Sequence, residues 1–333
     1  MEYVELGNVA TYINGYAFKP EQRGKIGLPI IRIQDLNDNS YDLGFFDGSY
    51  PEQIEINTGD ILISWSGSLG VYKWSKGKAL LNQHIFKVVF NKINIDKEFF
   101  CYAVKNSLSV MSQQTHGATM KHITKKDFDK VLIPYPSLNT QRKIAQKLNI
   151  VTELIVFYET ELSLMEQLIK ARFIEMFGDP IINPYGFPVK KIDEVAVLNK
   201  GITYSPDDIS KEGIIVLRSG NIKGNAFDLE DIVRISKKIS NDKLVNENDI
   251  LMCNRNGSVN LVGKVAKIPK LEEKMTFGTF MTIVRSEIFE YLFVFFQMNA
   301  FREQIKFQTA VAINQISLPL LASVKVPIPT NEL

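Results

Sequence analysis

The sequence predicts a mixed α/β protein of the α+β type, in which two repeated domains are separated by one long heptad-repeat helix. Between Thr140 and Phe177 the chain has no proline or glycine, and apolar residues recur at alternating steps of four and three. Short β-type runs bounded by turn residues occur on both sides of this stretch. The motifs that precede it recur in the same order after it. We therefore place the first domain at residues 1–138, the helix at 139–178 and the second domain at 179–333.

Composition limits the class of protein. The chain has 333 residues, a length typical of about two domains, and its 45% of hydrophobic residues is enough for each domain to bury a core. The 39 lysines and arginines are nearly balanced by 37 aspartates and glutamates, leaving a formal net charge of +2. A polyanionic partner is neither required nor excluded, and any basic surface has to be local.

Two features bear on compartment. The segment after Met1 lacks the basic and apolar run of a secretion signal, and the most apolar stretch, residues 288–298, is too short to span a bilayer. Cys101 and Cys253 are far apart and have no metal-ligand spacing, so we expect reduced, buried thiols. We expect a cytoplasmic protein without membrane contact, and a core helix at 288–298.

The first domain is defined by short runs that end at turn residues. The predicted elements are a strand at residues 28–33, a turn at 57–60, strands at 61–64 and 84–90, a helix at 99–111 and a closing Pro-x-Pro segment at 131–136. The closing segment cannot join a central ladder or a helix interior, because two of its residues lack a backbone N–H.

The second domain repeats this order with small drifts in spacing. Residues 193–196 match 7–10, residues 214–218 match 28–32, residues 246–251 match 57–62, residues 310–316 match 117–123, and residues 326–329 match 133–136. Two copies of one domain therefore flank one helix.

The helix between the copies carries an apolar stripe. Its members are Ile144, Leu148, Val151, Ile155, Tyr158, Leu162, Met165 and Ile169. Steps that average 3.5 residues keep one seam facing another helix, although an amphipathic helix lying on one core is an alternative. Asn139 or Thr140 is expected to cap the start, and Gly178 and Pro180 end the helix. At 1.5 Å per residue it would be about 55 Å long.

No catalytic or metal-binding pattern is present in the sequence. The three histidines show no metal-ligand motif. The glycine-containing segments at residues 67–70 and 77–78 lack the spacing of a phosphate-binding loop. Residues 183–185 (Asn-Pro-Tyr) resemble part of an amino-methyltransferase signature but lack its second proline, so a turn after the helix is the simpler interpretation. We predict a chain that is not an enzyme and holds no metal.

Polar loops at equivalent places in both copies are the candidate binding surface. Small hydroxyl and amide side chains beside glycine let a backbone approach phosphates, while Arg, Asn and Gln can read base edges. Lysines supply the affinity that does not depend on sequence. The candidates are Ser66, Ser68, Lys73, Lys76, Lys78, Asn82 and Gln83 in the first copy, and Asn254, Arg255, Asn256, Ser258 and Lys264 in the second.

Each of these features has a structural alternative. A Ser/Gly/Asn loop is most often a turn, and Trp65 and Trp74 are more often packing residues than stacking platforms. Arg32 and Arg218, each after an apolar run, could be structural ions. Repetition of polar loops at matched positions with different residues favours two readers of different sequences.

The motifs together resemble the specificity subunit of type I restriction-modification systems. The resemblance rests on the repeated domain with Asn-Thr-Gly-Asp-Ile-Leu at 57–62, Ile-Pro-Tyr-Pro at 133–136, Gln-Arg-Lys-Ile at 141–144, and a heptad helix ending in Phe-Gly-Asp-Pro at 177–180. It covers essentially the whole chain. It implies two target-recognition domains, each reading one half of a bipartite double-stranded DNA site through the major groove, and two spacer helices packed antiparallel.

The resemblance also implies the chemistry and the partners. The specificity subunit itself holds no cofactor. It recruits methyltransferase subunits that use S-adenosylmethionine to methylate adenine at N6, and a restriction subunit that uses ATP and Mg²⁺. On this interpretation Lys73, Lys76, Lys78 and Lys264 contact phosphates, and the other polar candidates form the two half-site surfaces.

The sequence differs from the family pattern in stopping before a second spacer helix. The stripe on the first helix is therefore expected to be covered by another chain: a second copy, a separate C-terminal fragment or a methyltransferase subunit. Two alternatives remain open. One is the specificity subunit of a related system with a fused methyltransferase and nuclease; the other is a truncated protein-binding scaffold without DNA recognition.

Overall fold

A computed structural model describes residues 2–37, 43–67, 69–114, 124–306 and 315–329. The chain divides into two compact units, Met1–Tyr158 and Glu159–Leu333, which we call unit 1 and unit 2. Within the described ranges, no helix combines the length and the apolar character needed to cross a membrane.

Unit 1 and the helix that leaves it contain these elements: β1 (Tyr3–Glu5), α1 (Leu6–Val9), β2 (Thr11–Asn14), β3 (Leu28–Ile31), α2 (Ile33–Leu36), β4 (Phe45–Phe46), β5 (Glu55–Ile56), β6 (Ile61–Ser64), β7 (Gly70–Lys73), β8 (Ala79–Leu81), β9 (Ile85–Val89), α3 (Lys97–Gln114), α4 (Lys125–Asp129), β10 (Leu132–Pro134) and α5 (Leu138–Phe177).

Unit 2 contains, after the end of α5, these elements: β11 (Val189–Lys191), α6 (Ile192–Val195), β12 (Val197–Lys200), β13 (Ile209–Ser210), β14 (Ile214–Leu217), β15 (Ile222–Lys223), β16 (Ala226–Phe227), β17 (Arg234–Ile235), β18 (Ile250–Cys253), β19 (Val265–Lys267), β20 (Met275–Phe277), β21 (Met281–Arg285), α7 (Phe289–Phe295), α8 (Asn299–Lys306), α9 (Leu318–Ser323) and β22 (Lys325–Pro327).

The two units share one antiparallel sheet and one closing pair, and each has a second sheet of its own arrangement. Each has a four-stranded antiparallel sheet, ordered β2-β9-β6-β7 in unit 1 and β12-β21-β18-β19 in unit 2. Each has a second four-stranded sheet with one parallel pair, β3 with β8 at the centre of the unit 1 sheet and β14 with β20 at the edge of the unit 2 sheet. Each is closed by a two-stranded pair, β1 with β10 and β11 with β22. The repeat predicted from the motif order is confirmed by the common strand order of the antiparallel sheets and by the closing pairs.

The closing pairs explain the position of the Pro-x-Pro segments. Pro134 and Pro327 lie at the ends of β10 and β22, in ribbons of only two strands, where a missing backbone N–H leaves no central ladder incomplete. The prediction that these segments stay out of the central sheets is therefore confirmed.

A turn with an aspartate cap precedes the central strand of each antiparallel sheet. The carboxylate of Asp60 accepts the N–H of Asn57 at 2.8 Å, and that of Asp249 accepts the N–H of Asn246 at 2.7 Å. The third residue of each turn is left-handed, with φ of +96° at Gly59 and +67° at Asn248. Glycine and asparagine tolerate this conformation best, which is why the motif survives with different letters.

Each unit has its own apolar core. In unit 1 the first sheet packs against α1, α3 and α4 through residues such as Phe86, Phe100 and Phe128. In unit 2 the corresponding core contains Phe295, Phe301 and the α5 residue Phe173. Trp74 is buried and Trp65 is half-buried against the unit 1 core, so both tryptophans pack rather than stand clear of the surface.

Some predicted boundaries change in the structure. The strand predicted at 28–33 stops at Ile31, because the Asp35 carboxylate accepts the N–H of Arg32 at 2.7 Å and starts α2. The strand predicted from His84 starts at Ile85, because His84 has a φ of +72°. The helices predicted at 99–111 and 288–298 correspond to α3 and α7.

The long helix α5 spans 40 residues, about 60 Å. It begins at Leu138, and the N–H of Thr140 reaches the Ser137 hydroxyl at 3.4 Å. The expected cap at Asn139 or Thr140 is therefore wrong, because the helix starts before these residues. At the other end Gly178 has a φ of +74° and donates its N–H to the carbonyl of Ile174 at 2.8 Å, as expected for a helix-ending glycine.

Candidate nucleic-acid interface

In unit 1, two polar loops meet at one end of the antiparallel sheet. The N–H of Trp65 donates to the His84 carbonyl at 3.2 Å, and the N–H of Gln83 donates to the Tyr16 carbonyl at 3.0 Å. This brings Ser66 and Gln83 to the same end of the sheet. Gln83 is exposed and Ser66 is half-exposed.

Asn82 lies beneath this surface. Only 7% of it is exposed, its N–H donates to the Ile31 carbonyl at 3.0 Å, and its buried side-chain oxygen has no hydrogen-bond partner among the described residues. Its position fits the support of the loop better than direct contact with a ligand. Ser68, predicted beside Ser66, lies outside the described residues.

The structure places the three lysines of unit 1 away from Ser66 and Gln83. In the β6–β7 hairpin Ser64 pairs with Gly70 beside the hairpin loop, and Ile61 pairs with Lys73 at the opposite end. Lys73 therefore lies at the end of the hairpin away from Ser66. The ammonium of Lys73 is 2.5 Å from Glu98, and that of Lys78 is 2.8 Å from Glu55. These hydrogen bonds raise the pKa of both lysines.

Lys76 is exposed in the loop between these two lysines. The backbone of this loop is held to the turn before β6: the Trp74 N–H donates to the Asp60 carbonyl at 2.9 Å, and the Gly77 N–H donates to the Thr58 hydroxyl at 3.0 Å. The candidate residues of unit 1 thus form two separate surfaces, one of hydroxyl and amide groups and one of lysines.

In unit 2, the loop after β18 is the equivalent of the Trp65 loop. The N–H of Asn254 donates to the Phe280 carbonyl at 2.8 Å, as Trp65 does to His84. Asn254 is 7% exposed and its amide nitrogen bonds to the Thr282 hydroxyl, while its buried amide oxygen has no hydrogen-bond partner among the described residues. Asn254 therefore supports the loop from below.

The next residues of this loop reach the surface. Arg255 is exposed, and its guanidinium carbon lies 5.2 Å from the centroid of the Phe280 ring. The Asn256 side chain donates to the Ser219 hydroxyl at 3.0 Å and accepts the N–H of Ser258 at 2.9 Å. Arg255 and Ser258 are thus presented to solvent by a loop whose conformation Asn256 fixes.

Lys264 lies at the same end of the sheet as this loop. Its carbonyl accepts the N–H of Cys253 at 2.9 Å, and its N–H donates to the Leu261 carbonyl at 3.2 Å. Its side chain is partly exposed. The candidate residues of unit 2 therefore share one region, unlike those of unit 1.

A cavity beside this loop was not predicted from the sequence. Its volume is about 780 Å³, and its lining includes Tyr204, Arg218, Ser219, Asp231 and Phe280. Arg218 donates from Nη2 to Asp231 at 2.7 Å. The sequence singled out Arg218 only as a structural ion. The signal that could have found the cavity was the position of Arg218 directly after an apolar strand, together with the polar loop after β18, whose residues differ from those of the equivalent loop in unit 1.

The titratable groups of this region include one buried thiol. Burial raises the pKa of Cys253, which ends β18 just before the exposed loop. Across the described part of the chain, no three His, Cys, Asp or Glu side chains are grouped so that they could hold a metal ion.

Comparison with known proteins gives the family. Residues 1–166 and 184–332 match the family model described as "Type I restriction modification DNA specificity domain". The chain is 25% identical over 316 residues to the type I restriction enzyme EcoBI specificity subunit of Escherichia coli, covering 85% of this chain and 64% of that protein. It is 21% identical over 356 residues to the MjaVIII specificity subunit of Methanocaldococcus jannaschii, covering 99% of this chain and 83% of that protein.

Among solved structures, the specificity subunit of a type I restriction-modification system from M. genitalium has the same fold. It superposes with a TM-score of 0.52 at 15% sequence identity and covers 98% of this chain and 84% of that chain. The family model matches in two segments, one for each unit. The chain therefore belongs to the family of type I restriction-modification DNA specificity domains.

Proposed function

We propose that this chain is a non-catalytic specificity subunit in which unit 1 and unit 2 each read one half of a bipartite double-stranded DNA site. The observation that carries the proposal is that both antiparallel sheets end in the same backbone hydrogen bond but present different side chains there. Equivalent backbone hydrogen bonds place Trp65 and His84 in unit 1, and Asn254 and Phe280 in unit 2. One scaffold with two sets of polar loops supports two different half-sites.

The chemistry of the loops supports base reading from the major groove. Arg255 is exposed beside an aromatic ring, and an exposed guanidinium can donate two hydrogen bonds to one base edge. Gln83 is exposed in the corresponding loop of unit 1, and a carboxamide can pair with adenine in the same way. Exposed lysines such as Lys76 add attraction to phosphates that does not depend on sequence.

Helix α5 supports the proposed docking of partner subunits. Along its middle the stripe side chains are strongly exposed: Leu148 37%, Val151 51%, Ile155 53%, Tyr158 58%, Leu162 64%, Met165 51% and Ile169 54%. Ile144 is different, because it packs against the core of unit 1. Of the predicted interface, Ile144 thus belongs to the unit 1 core.

The apolar face of α5 is wider than one seam. A second row of exposed apolar residues, Ile150, Leu154, Phe157, Leu164 and Leu168, lies one position before the stripe residues. Exposed apolar area of this extent marks a surface for protein partners. In the proposal it is covered by methyltransferase subunits, by a second copy or by another chain. The methyltransferase subunits supply S-adenosylmethionine chemistry, and a restriction subunit supplies ATP and Mg²⁺ chemistry.

The test is co-purification of the full chain with a candidate adenine methyltransferase subunit, followed by mapping of adenine methylation on genomic DNA. We expect a complex and a bipartite methylated motif. Binding of the complex to duplex DNA should weaken steeply with salt. A complex that methylates no defined motif, or binding to DNA without sequence preference, would contradict the proposal.

The role of the α5 face needs a matched pair of variants. Ile155→Ser with Leu162→Ser removes two exposed apolar side chains, and Lys147→Ser with Glu153→Ser removes two exposed polar ones at the same cost in helix propensity. We expect the first pair to reduce recovery of the methyltransferase subunit at least about tenfold, because burial of each side chain contributes about 1.5–3 kcal/mol. Equal recovery with both pairs would remove α5 from the docking surface.

A further inference from the structure

Arg218 directly follows β14 and lines the cavity beside the Arg255 loop of unit 2. Its backbone N–H is capped by the Asn221 side-chain oxygen at 2.8 Å, so the start of its side chain is fixed. Its guanidinium donates from Nη2 to Asp231 at 2.7 Å, with 34% of the Arg218 side chain and 68% of that of Asp231 exposed. The guanidinium is therefore oriented but open to solvent.

The equivalent residue of unit 1 is held differently. The Asp35 carboxylate accepts the backbone N–H of Arg32 at 2.7 Å and also the Nε–H of Arg32 at 3.2 Å. One buried aspartate thus caps the backbone and holds the guanidinium of the same residue. In unit 1 the arginine is part of the local structure.

In unit 2 the position of Asp35 is taken by Asn221, whose neutral amide cannot form an ion pair with the arginine. The Asn221 nitrogen donates to the carbonyls of Asp228 and Asp231, at 2.9 and 3.1 Å, and its oxygen caps Arg218. The amide keeps the turn but releases the guanidinium, which then turns to the exposed Asp231. The buried Nε of Arg218 has no hydrogen-bond partner among the described residues, and such a group is costly without one.

The donors of Arg218 suit a base edge with two adjacent acceptors. Guanidinium has five N–H donors, of which Asp231 takes one. Guanine presents N7 and O6 side by side in the major groove, and arginine is the commonest side chain to bind both. An acceptor pair within one base suits a guanidinium that a carboxylate already holds through Nη2.

The neighbouring residues tie Arg218 to the loop that the sequence predicted. Phe280 lines the cavity and carries Arg255 on its ring, and Ser219, the residue after Arg218, accepts a hydrogen bond from Asn256. Arg218 and the Arg255 loop are therefore parts of one surface.

We propose that Arg218 reads a guanine in the half-site of unit 2 and that Asp231 is a positioning residue that fixes its guanidinium. The inference rests on the proposed function of the chain. It adds a specificity-determining residue, the base that it contacts, and a reason why the equivalent arginine of unit 1 has no such role.

The experiment is selection of bound duplexes from a library of randomised DNA with the full chain, in complex with its methyltransferase subunit. We expect the wild type to require guanine at one position of one half-site. Arg218→Ala should reduce that preference about 5- to 150-fold and leave the other positions unchanged. Arg218→Lys keeps the charge but loses the planar fork, so it should retain overall affinity and lose the same base preference.

Two further variants separate positioning from folding. Asp231→Asn changes an exposed residue, so we expect the wild-type melting temperature and a weaker preference at that same position. Arg32→Ala is the matched control from unit 1 and should leave the guanine position unchanged.

Outcomes distinguish this inference from the proposed function. A wild type without sequence preference would reject both. A wild type with a bipartite motif, and an Arg218→Lys variant that keeps every base preference, would overturn only the role of Arg218. Loss of preference at a base other than guanine would overturn the guanine assignment.

Discussion

Unit 1 and unit 2 end their antiparallel sheets with the same backbone hydrogen bonds and different side chains. In both, the residue after the central strand donates its N–H to the residue before the last strand. Only backbone atoms are used at this point, so the side chains of Trp65, Ser66 and His84 could change to Asn254, Arg255 and Phe280 without loss of the scaffold. Backbone hydrogen bonds and buried residues therefore maintain the fold, and the exposed loop residues can differ between the units.

The largest effects are expected where the scaffold is shared. A methyl group on Gly15 would lie 2.0 Å from the Asn82 carbonyl oxygen, and one on Gly201 would lie 2.1 Å from that of Gly278. We expect Gly15→Ala and Gly201→Ala each to destabilise its own unit by about 3 kcal/mol or more. Calorimetry of the full chain, with hydrogen exchange to identify the unit affected, measures this.

The controls are glycines of the same units with room for a methyl group. At Gly24 the added atom would be 3.7 Å from its nearest neighbour, and at Gly257 it would meet nothing within 4 Å. Both should change the free energy of unfolding by less than about 1 kcal/mol. A large loss at Gly15 with none at Gly201 would show that the two units are less alike than their strand order indicates.

The aspartate turn is the next place where the units can be compared. Asp249 is 2% exposed and binds Arg285 through two hydrogen bonds, of 2.7 and 2.6 Å. Asp60 is more exposed and pairs with Lys87 at 3.1 Å. We expect Asp249→Ala to cost about 2–4 kcal/mol, because it leaves a partly buried guanidinium without its carboxylate. Asp60→Ala should cost about half as much in urea unfolding, and equal losses would contradict this ranking.

DNA binding should separate the two loops. We expect Arg255→Ala to lose about 1–3 kcal/mol of binding free energy and to relax one base position. The equivalent Ser66→Ala removes one hydroxyl and should lose about 0.5–1.5 kcal/mol. Competition binding with duplexes that differ at single positions measures both. Equal loss on every duplex for Arg255→Ala would remove that residue from base reading.

The lysines of unit 1 test whether their surface binds phosphates. Lys76→Ala should weaken binding almost evenly across sequences and reduce the salt dependence of the logarithm of affinity by about one. Lys73→Ala and Lys78→Ala each also remove an ion pair, with Glu98 and with Glu55. Affinity measured at several salt concentrations is the readout, and an effect of Lys76→Ala confined to one DNA sequence would contradict the assignment.

The last comparison concerns the two thiols, one in each unit. Burial, and then the Glu98 carboxylate, raise the pKa of Cys101 to about 12, and burial raises the pKa of Cys253. Alkylation of Cys101 in the folded chain at pH 8 should be at least about 100-fold slower than that of a peptide thiol, and its rate should keep rising with pH above 9. Alkylation of Cys253 should also be slower than that of a peptide thiol. Denatured chain is the control.

The same shift has a defined sign for stability. The folded thiol holds its proton more tightly than the unfolded one, whose pKa is about 8.5. The free energy of unfolding therefore falls as pH rises above about 8.5, and the contribution of Cys101 is fully present below that pH. Fast alkylation of either thiol at pH 8 would show that its unit opens there.

Sequence reasoning was accurate where the structure depends on neighbouring residues. The aspartate turns, the helix end at Gly178 and the stripe of α5 follow from side chains that interact within a few positions of one another. The expected cap of α5, at Asn139 or Thr140, lies two or three residues after Ser137, because the side chains of all three residues are chemically able to cap a helix. Domain boundaries remain a prediction, although α5 begins and ends within one residue of the expected helix.

The grouping of the candidate residues could not be predicted in the same way. Ser66 and Gln83 come together through the pairing of β6 with β9, while the three lysines follow β7 to the other end of its hairpin. A sequence gives the order of these residues but not which ends of two strands meet. The division of unit 1 into two surfaces is decided by that register.

Periodicity, turn chemistry and motif order are local properties, and from them the sequence predicts a repeated α+β domain, a long helix between the copies and a chain without recognisable catalytic motifs. Folding adds that Arg218 turns to Asp231 beside a cavity, whereas Arg32 turns to Asp35. Arg32 takes a partner three residues along the chain, whereas the partner of Arg218 lies 13 residues away and is brought near by the pairing of β14 with β17. The physical reason is that a contact between distant residues depends on strand register, which only the folded chain sets.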